Sequence, residues 1–336
     1  MPPLISELLI FSIETTIIVV GILIVFAGLL GIAGKNKSKS TGKLIIKNLN
    51  EKYKKVKDAL QQEILSKDEL KQFKKESKLK NKLEKKEKNN EEKPRLFVLD
   101  FTGDIKASGT PELSEEISAL LAVASPKDEV LVRLDSPGGL VHAYGLAASQ
   151  LQRIKDHKIP LTVAIDKMAA SGGYLMATVA DKIIAAPFAV IGSIGAVAQL
   201  PNFHRFLKKN NIDYEMFTAG EFKRTVTLFG ENSSAGRKKL QSDLEDIHSI
   251  FKEFIETHRP EVNISEVATG EHWLATKAFQ RKLVDVLSTS DEYISSAIKK
   301  SKIIHLQWKT KKKKSLLKCA SKAKMFINEL FNPFQF

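Results

Sequence analysis

A serine in the segment DKMAASGG (166–173), Ser171, stands where an apolar run ends and a helical pattern begins. A hydroxyl at such a junction has the helix N-terminus behind it. There, free backbone N–H groups and the macrodipole favour developing negative charge. That is a place for a nucleophile. Fifty-two residues on, Lys223 lies in AGEFKRT, and no histidine has a convincing spacing for the role of base. A lysine that activates a serine must be neutral at working pH, through desolvation or the pressure of another cation. A second strand end reads LDSPGG (134–139). Its glycines let backbone approach a ligand without a Cβ in the way, and their N–H groups can converge on an oxyanion. Blander readings stand beside both motifs. LDSPGG also suits a Pro-Gly turn that opens a helix, and Ser171 with its glycines suits close helix–strand packing.

The elements that must position these residues alternate in type. LFVLDF (96–101), EVLVRLD (129–135), PLTVAID (160–166) and KIIAAP (182–187) are short apolar runs, several rich in β-branched residues. Helical patterns over 111–124, 140–157 and 172–180 lie between them, and another follows at 235–258. That succession predicts an α/β domain with repeated βα crossovers. The uncharged stretch 183–200 is interrupted by Pro187, Gly192 and Gly195, so it reads as buried core rather than a second membrane span.

Charge divides the 336 residues into four regions: a membrane anchor (1–34), a Lys/Glu-rich linker (35–93), the α/β domain (94–308) and a basic tail (309–336). The formal charge of +14 resides mainly outside the domain: 20 lysines against 10 acids over 35–93, and 8 lysines against one acid from 309 onward. The domain itself balances 25 basic against 26 acidic groups. A basic patch with interleaved aromatics is missing from it, so the reading is no nucleic acid. TTIIVVGILIVFAGLLGIAG (15–34) is 20 uncharged residues, the length a bilayer core requires. Residues 1–14 lack the Lys or Arg of a signal-peptide n-region, which favours an uncleaved single-pass anchor. Residues 35–93 sustain no heptad stripe and read as an extended charged linker, with a solvated helix near Leu60–Leu70 as the alternative. The tail, 315–330, has roughly helical spacing and suits either a membrane surface or a frayed end. Lysines after the span favour a cytoplasmic domain, yet long domains translocate regardless of charge, so both sides of the membrane stay open. The lone Cys319 excludes an intramolecular disulfide, and the seven scattered histidines show no metal-ligand spacing; neither metal nor cofactor is expected.

Taken together, DSPGG on one βα turn and a strand-end SGG on the next resemble the serine–lysine proteases of the signal peptide peptidase A type. Those proteases belong to the wider Clp-protease/crotonase-like spiral of ββα units. The likeness extends to GSIG (192–195), AGEFK (219–223) and TGEHWLATKAFQRKLVD (269–285), which are similar to the family's GSIG, AGxxK and TG…W…A…GLVD segments. GLAASQLQR (145–153), PNFHRFLKK (201–209) and KRTVTLFGEN (223–232), with a single protease domain, resemble its membrane-anchored SohB branch. One departure stands out, Arg281-Lys282 in place of the usual residue-Gly pair before Leu283.

The resemblance implies an endopeptidase of the inner membrane that acts on peptides or unfolded proteins. It implies Ser171 as nucleophile, Lys223 as general base, Gly138 and Gly139 as oxyanion-hole amides, and Ser193 as the group that orients the lysine. Clp-type relatives carry a histidine near the GSIG position. Glycine and serine stand there in this chain, which disfavours a Ser-His-Asp triad. His142, after the PGG turn, reads as a helix-surface residue. Relatives build their sites between neighbouring domains or subunits, so a homo-oligomer is implied, with Lys223 a candidate to serve a neighbour's Ser171. Two other readings share the motifs: a crotonase-like acyl-CoA enzyme with the same oxyanion arrangement, and a non-catalytic scaffold on the same fold.

Overall fold

The computed structural model describes residues 42–66, 68–73 and 93–310, with the single positions 19, 75 and 79. Of the span expected at 15–34 only Val19 falls among them, and the tail from 311 onward lies outside them. No helix of the described residues is long and apolar enough to cross a membrane.

Residues Leu44–Lys309 form a compact unit. It opens with β1 (Gly42–Asn48) and α1 (Leu49–Ile64). Strands β2 (Arg95–Thr102), β3 (Glu129–Asp135), β4 (Leu161–Ile165) and β6 (Lys182–Ala185) then lie side by side, each pair parallel. Parallel neighbours require crossovers, and α2 (Thr110–Leu121), α3 (Val141–Asp156) and α4 (Gly172–Thr178) supply them where the apolar periodicity predicts helices. The later chain adds α5 (His204–Lys209), α6 (Ser234–His258), α7 (Ile264–Val267), α8 (Ala275–Gln280), β9 (Val286–Leu287), α9 (Ser290–Ala297) and β10 (Lys302–Thr310). The main sheet runs β1-β10-β2-β3-β4-β6-β9. A smaller sheet joins β5 (Met168–Ala170), β7 (Val190–Gly192) and β8 (His272–Leu274), with β5 parallel and β8 antiparallel to β7.

Strand periodicity divides the core between the two faces of the main sheet. Phe97, Leu99 and Phe101 pack with Val130, Val132, Tyr144 and Leu151 on one face. Leu96 and Val98 turn to the other, with Leu131, Ala164, Ile184 and Ile294. Burial on both faces explains why β4 reads as the uncharged, mostly apolar run LTVAI, every residue of it buried.

Within the charged linker expected at 35–93, residues 42–64 are structured. They form β1 and α1, because the GKLIIK run supplies strand-forming side chains and Asn48 caps the helix by accepting from the Glu51 N–H. Asn50 fixes this pair to the C-terminal strand. Its amide donates to the carbonyls of Ile298 (3.1 Å) and Ser301 (3.0 Å), and its Oδ1 accepts from the Ile303 N–H (2.7 Å). Leu49 is buried against Leu96 and Ile303 in the second cluster. The uncharged stretch 183–200 holds most of β6 and all of β7, whose side chains are largely buried, and is exposed at 187–188 and 197–200.

Two buried polar groups tie the periphery to this core. Arg259, after α6, donates to both Asp285 oxygens (2.6 and 2.8 Å) and to the Lys282 carbonyl (2.9 Å). Asp285 also accepts from the Ile183 N–H (2.7 Å), so one ion pair joins α6, β6 and the turn into β9. In that turn Lys282 adopts φ 61°, which explains why glycine is usual there; a side chain in that region costs on the order of 1 kcal/mol. Glu116 on α2 is the second group. Its Oε1 accepts from the Trp308 N–H (2.6 Å), while its Oε2 is buried without a hydrogen-bond partner among the described residues.

Burial, with smaller contributions from Asp100 and Glu112, pushes the Glu116 carboxyl up to about 7 from an ordinary 4.5. The folded state therefore holds this proton more tightly than the unfolded chain does. The stability this confers is fully present below the unfolded value and is lost as pH rises towards the folded one. Glu116→Gln should flatten the decline in urea midpoint between about pH 5 and about pH 8. An unchanged slope in the variant would contradict the assignment.

Candidate active site

Ser171 occupies the single position between β5 and α4, with φ 51° and ψ −122°. Few non-glycine residues adopt such a backbone, and one that does is held there by its surroundings. Here the Ser171 N–H donates to the Gly192 carbonyl on β7 (2.7 Å), and the Ser171 carbonyl accepts from the Leu175 N–H (3.0 Å). The second bond closes the first turn of α4, so the N–H groups before Leu175 have no intrahelical acceptor. Ser171 is half-buried, and its hydroxyl makes no hydrogen bond among the described residues.

The Gly138–Gly139 turn, after β3, lies directly against this serine. Gly138 has φ 85°, and a Cβ built on it would fall 2.6 Å from the Ala170 carbonyl oxygen and 2.8 Å from the Ser171 Cβ. Both its conformation and its neighbours demand glycine. Its N–H is already committed, donating to Ser136 Oγ (3.1 Å). The Gly139 N–H donates to no protein acceptor among the described residues.

Ser193 follows Gly192, whose backbone is the register partner of Ala170. It too has a positive φ, 53°, and its N–H donates to the Glu271 carbonyl (2.6 Å). Ser171 and Ser193 therefore leave the same end of two paired strands. Lys223 is exposed in the segment between α5 and α6, with its N–H bonded to the Gly220 carbonyl (3.1 Å). Around it an open cavity of about 670 Å³ is lined by Tyr214, Met216, Phe217, Leu228 and Phe229. Among the described residues no hydrogen bond links Lys223 to Ser171 or to Ser193.

The fold thus brings together Ser171, Gly138, Gly139 and Ser193, and among the described residues Lys223 makes no hydrogen bond to any of them. His142 is exposed on the first turn of α3. Ser136 and Tyr144, buried behind the glycine turn, are additions that the motifs alone did not single out. The available signal was the serine inside DSPGG itself, a polar residue in a run otherwise explained by turn chemistry.

Residues 3–151 match the family description "Peptidase family S49 N-terminal", and residues 153–303 match "Peptidase family S49". A Haemophilus influenzae protein named "Probable protease SohB" is 50% identical over 319 residues, which cover 92% of this chain and 90% of that one. A protein of the same name from Buchnera aphidicola subsp. Schlechtendalia chinensis is 49% identical over 285 residues, 82% of this chain and 93% of the other. "Protease 4" of H. influenzae is more distant, 29% identical over 170 residues that make up 28% of its length. Two relatives near half identity, each matched over most of its length, and family matches along both halves agree: the chain belongs to peptidase family S49 and is a serine-protease hydrolase.

Proposed function

We propose that the chain is a membrane-anchored endopeptidase that cleaves peptide bonds through an acyl-enzyme on Ser171, with Lys223 as the general base. The observation that carries this reading is the Ser171 backbone, held at φ 51° at the head of a helix and against a glycine turn. In this reading the Ser171 hydroxyl attacks the scissile carbonyl as Lys223 takes its proton, and the carbonyl oxygen becomes an oxyanion. The tetrahedral intermediate collapses as the lysine returns the proton to the leaving amine. Water, deprotonated by the same lysine, then hydrolyses the ester. The Gly139 N–H is available to the oxyanion, while Gly138, its own N–H engaged by Ser136, shapes the turn. Ser193 orients the lysine from the neighbouring strand end.

Lys223 reaches a serine in this scheme through assembly of a homo-oligomer, serving the Ser171 of an adjacent copy. The segment that carries it favours burial of that kind: Ile212, Phe217 and Phe222 are 52%, 90% and 54% exposed. Apolar side chains concentrated on one segment mark an interaction surface. The domain boundaries follow the same logic, with the anchor at 1–34, a linker over 35–93 that gives its first part to the sheet, the protease domain at 94–308 and the tail at 309–336. The succession of β4-β5-α4 and β6-β7 is read as part of a crotonase-like spiral of ββα units. The anchor places the enzyme in the inner membrane, within reach of peptides or unfolded chains near the bilayer.

Ser171→Ala should keep the fold and abolish peptide hydrolysis, since no other group replaces the covalent step. Lys223→Arg keeps the charge but cannot give up its proton in a protein, and should be equally inactive. Fluorophosphonate labelling of the wild type, lost in Ser171→Ala, separates this reading from an acyl-CoA enzyme and from a scaffold. Normal turnover in either variant would refute the serine–lysine pair.

Alkaline carbonate should leave the full-length chain in the membrane pellet, because a spanning helix is held by apolar side chains rather than by charge. Release into the supernatant, or a mature N-terminus beyond residue 34, would assign residues 15–34 to a cleaved signal instead.

A further inference from the structure

Behind the glycine turn runs a continuous chain of hydrogen bonds with a fixed direction. Tyr144 on α3 donates its single hydroxyl proton to the Asp104 carbonyl (2.8 Å). Its bond with Ser136 Oγ (2.6 Å) must therefore be donated by the serine. Ser136 Oγ in turn accepts from the Gly138 N–H (3.1 Å). The order is Gly138 N–H to Ser136, Ser136 to Tyr144, and Tyr144 to Asp104, each bond polarising the next. Ser136 and Tyr144 are both wholly buried, so neither touches a substrate.

The far end of the chain is itself fixed. The Asp104 carboxylate accepts from the N–H groups of Lys106 (3.1 Å) and Ser108 (2.8 Å) and from the Ser108 hydroxyl (2.8 Å). The same loop holds the other side of the glycine turn, where the Leu140 N–H donates to the Ile105 carbonyl (2.8 Å). Space around the hydroxyls is closed as well. A Cβ on Gly103 would lie 2.3 Å from Ser136 Oγ and 2.4 Å from the Tyr144 hydroxyl.

Ser136 also holds the nucleophile's strand. Its N–H donates to the Met168 carbonyl (2.9 Å) and its carbonyl accepts from the Ala170 N–H (3.0 Å), immediately before Ser171. The Tyr144 ring abuts the residue after the nucleophile, since a Cβ on Gly172 would lie 2.5 Å from the ring's Cγ. One buried serine and one buried tyrosine thus contact both halves of the site, the glycine turn and the serine junction.

We propose that Ser136 and Tyr144 are positioning residues of the hydrolysis: their hydroxyls set the Gly138–Gly139 turn relative to Ser171, and so the place where the oxyanion is received. The proposal rests on the reading of Ser171 as nucleophile. The effect belongs in the transition state, because the Gly139 N–H that the turn presents matters most once the carbonyl oxygen carries charge.

The test uses the full-length enzyme in detergent, with a fluorogenic peptide and fluorophosphonate titration of active sites. Tyr144→Phe keeps the ring that packs on Gly172 and removes one hydroxyl. It should lower kcat per titrated site roughly 10- to 100-fold, the scale of a small misplacement of reacting groups, with KM within about twofold. Ser136→Ala should do the same, and the double variant should be little worse than either single one, because all three break one chain. Ser136→Ala carries the test alone if Tyr144→Phe does not fold. Unchanged kcat per titrated site, or additive losses, would overturn the proposal while leaving Ser171 as nucleophile intact. A wild-type enzyme that hydrolyses nothing and takes up no label would instead overturn the reading beneath it.

Discussion

The bond from the Ser171 N–H to the Gly192 carbonyl is the constraint on which the site depends. It closes the junction between β5 and β7 at a residue with a positive φ, and fixes where α4 begins. Without such a tie, a serine at φ 51° would relax toward ordinary extended or helical values. The sheet supplies the other half of the restraint. β3 ends beside β5 through the isolated Ser136–Ala169 bridge, which brings the glycine turn against the serine. Strain at Ser171, a positive φ at Gly138 and another at Ser193 therefore belong to one local solution, three strand ends meeting at the edge of two sheets.

This geometry explains a division of labour within the chain. The residues that must be exact relative to one another, Ser171, Gly138, Gly139 and Ser193, lie on or beside strands whose neighbours are fully buried. Lys223 lies on a segment with little buried apolar surface of its own, lined instead by exposed aromatic side chains and an open cavity. In the proposed scheme a second copy of the chain covers this segment and fixes the lysine.

Much of this was legible in the sequence, for identifiable reasons. The strands β2, β3, β4 and β6 and the helices α2, α3, α4 and α6 fall where apolar runs and helical periods predict them, because a parallel sheet buried on both faces leaves unbroken apolar strings. The Ser171 junction could be read from the change of period at SGG. Other parts were hidden. The first strand and helix lie in a lysine-rich region whose composition suggests an extended linker, and their placement depends on Asn50 reaching backbone groups of residues 298, 301 and 303, a contact between chain ends that no local pattern encodes. Ser136 was masked by its own motif, since a serine before Pro-Gly already has a turn to explain it. The fate of the Gly138 N–H was equally invisible, because a motif indicates which amides can converge and not which are already bonded.

In the proposed mechanism the strained Ser171 is the group that becomes acylated. The most direct measurement is peptide mapping by mass spectrometry of the full-length enzyme after reaction with a fluorophosphonate. The account predicts a single stoichiometric adduct on Ser171, absent when the protein is denatured before labelling. An adduct on Ser136, Ser193 or any other hydroxyl in place of Ser171, or equal labelling of the native and denatured chain, would contradict it.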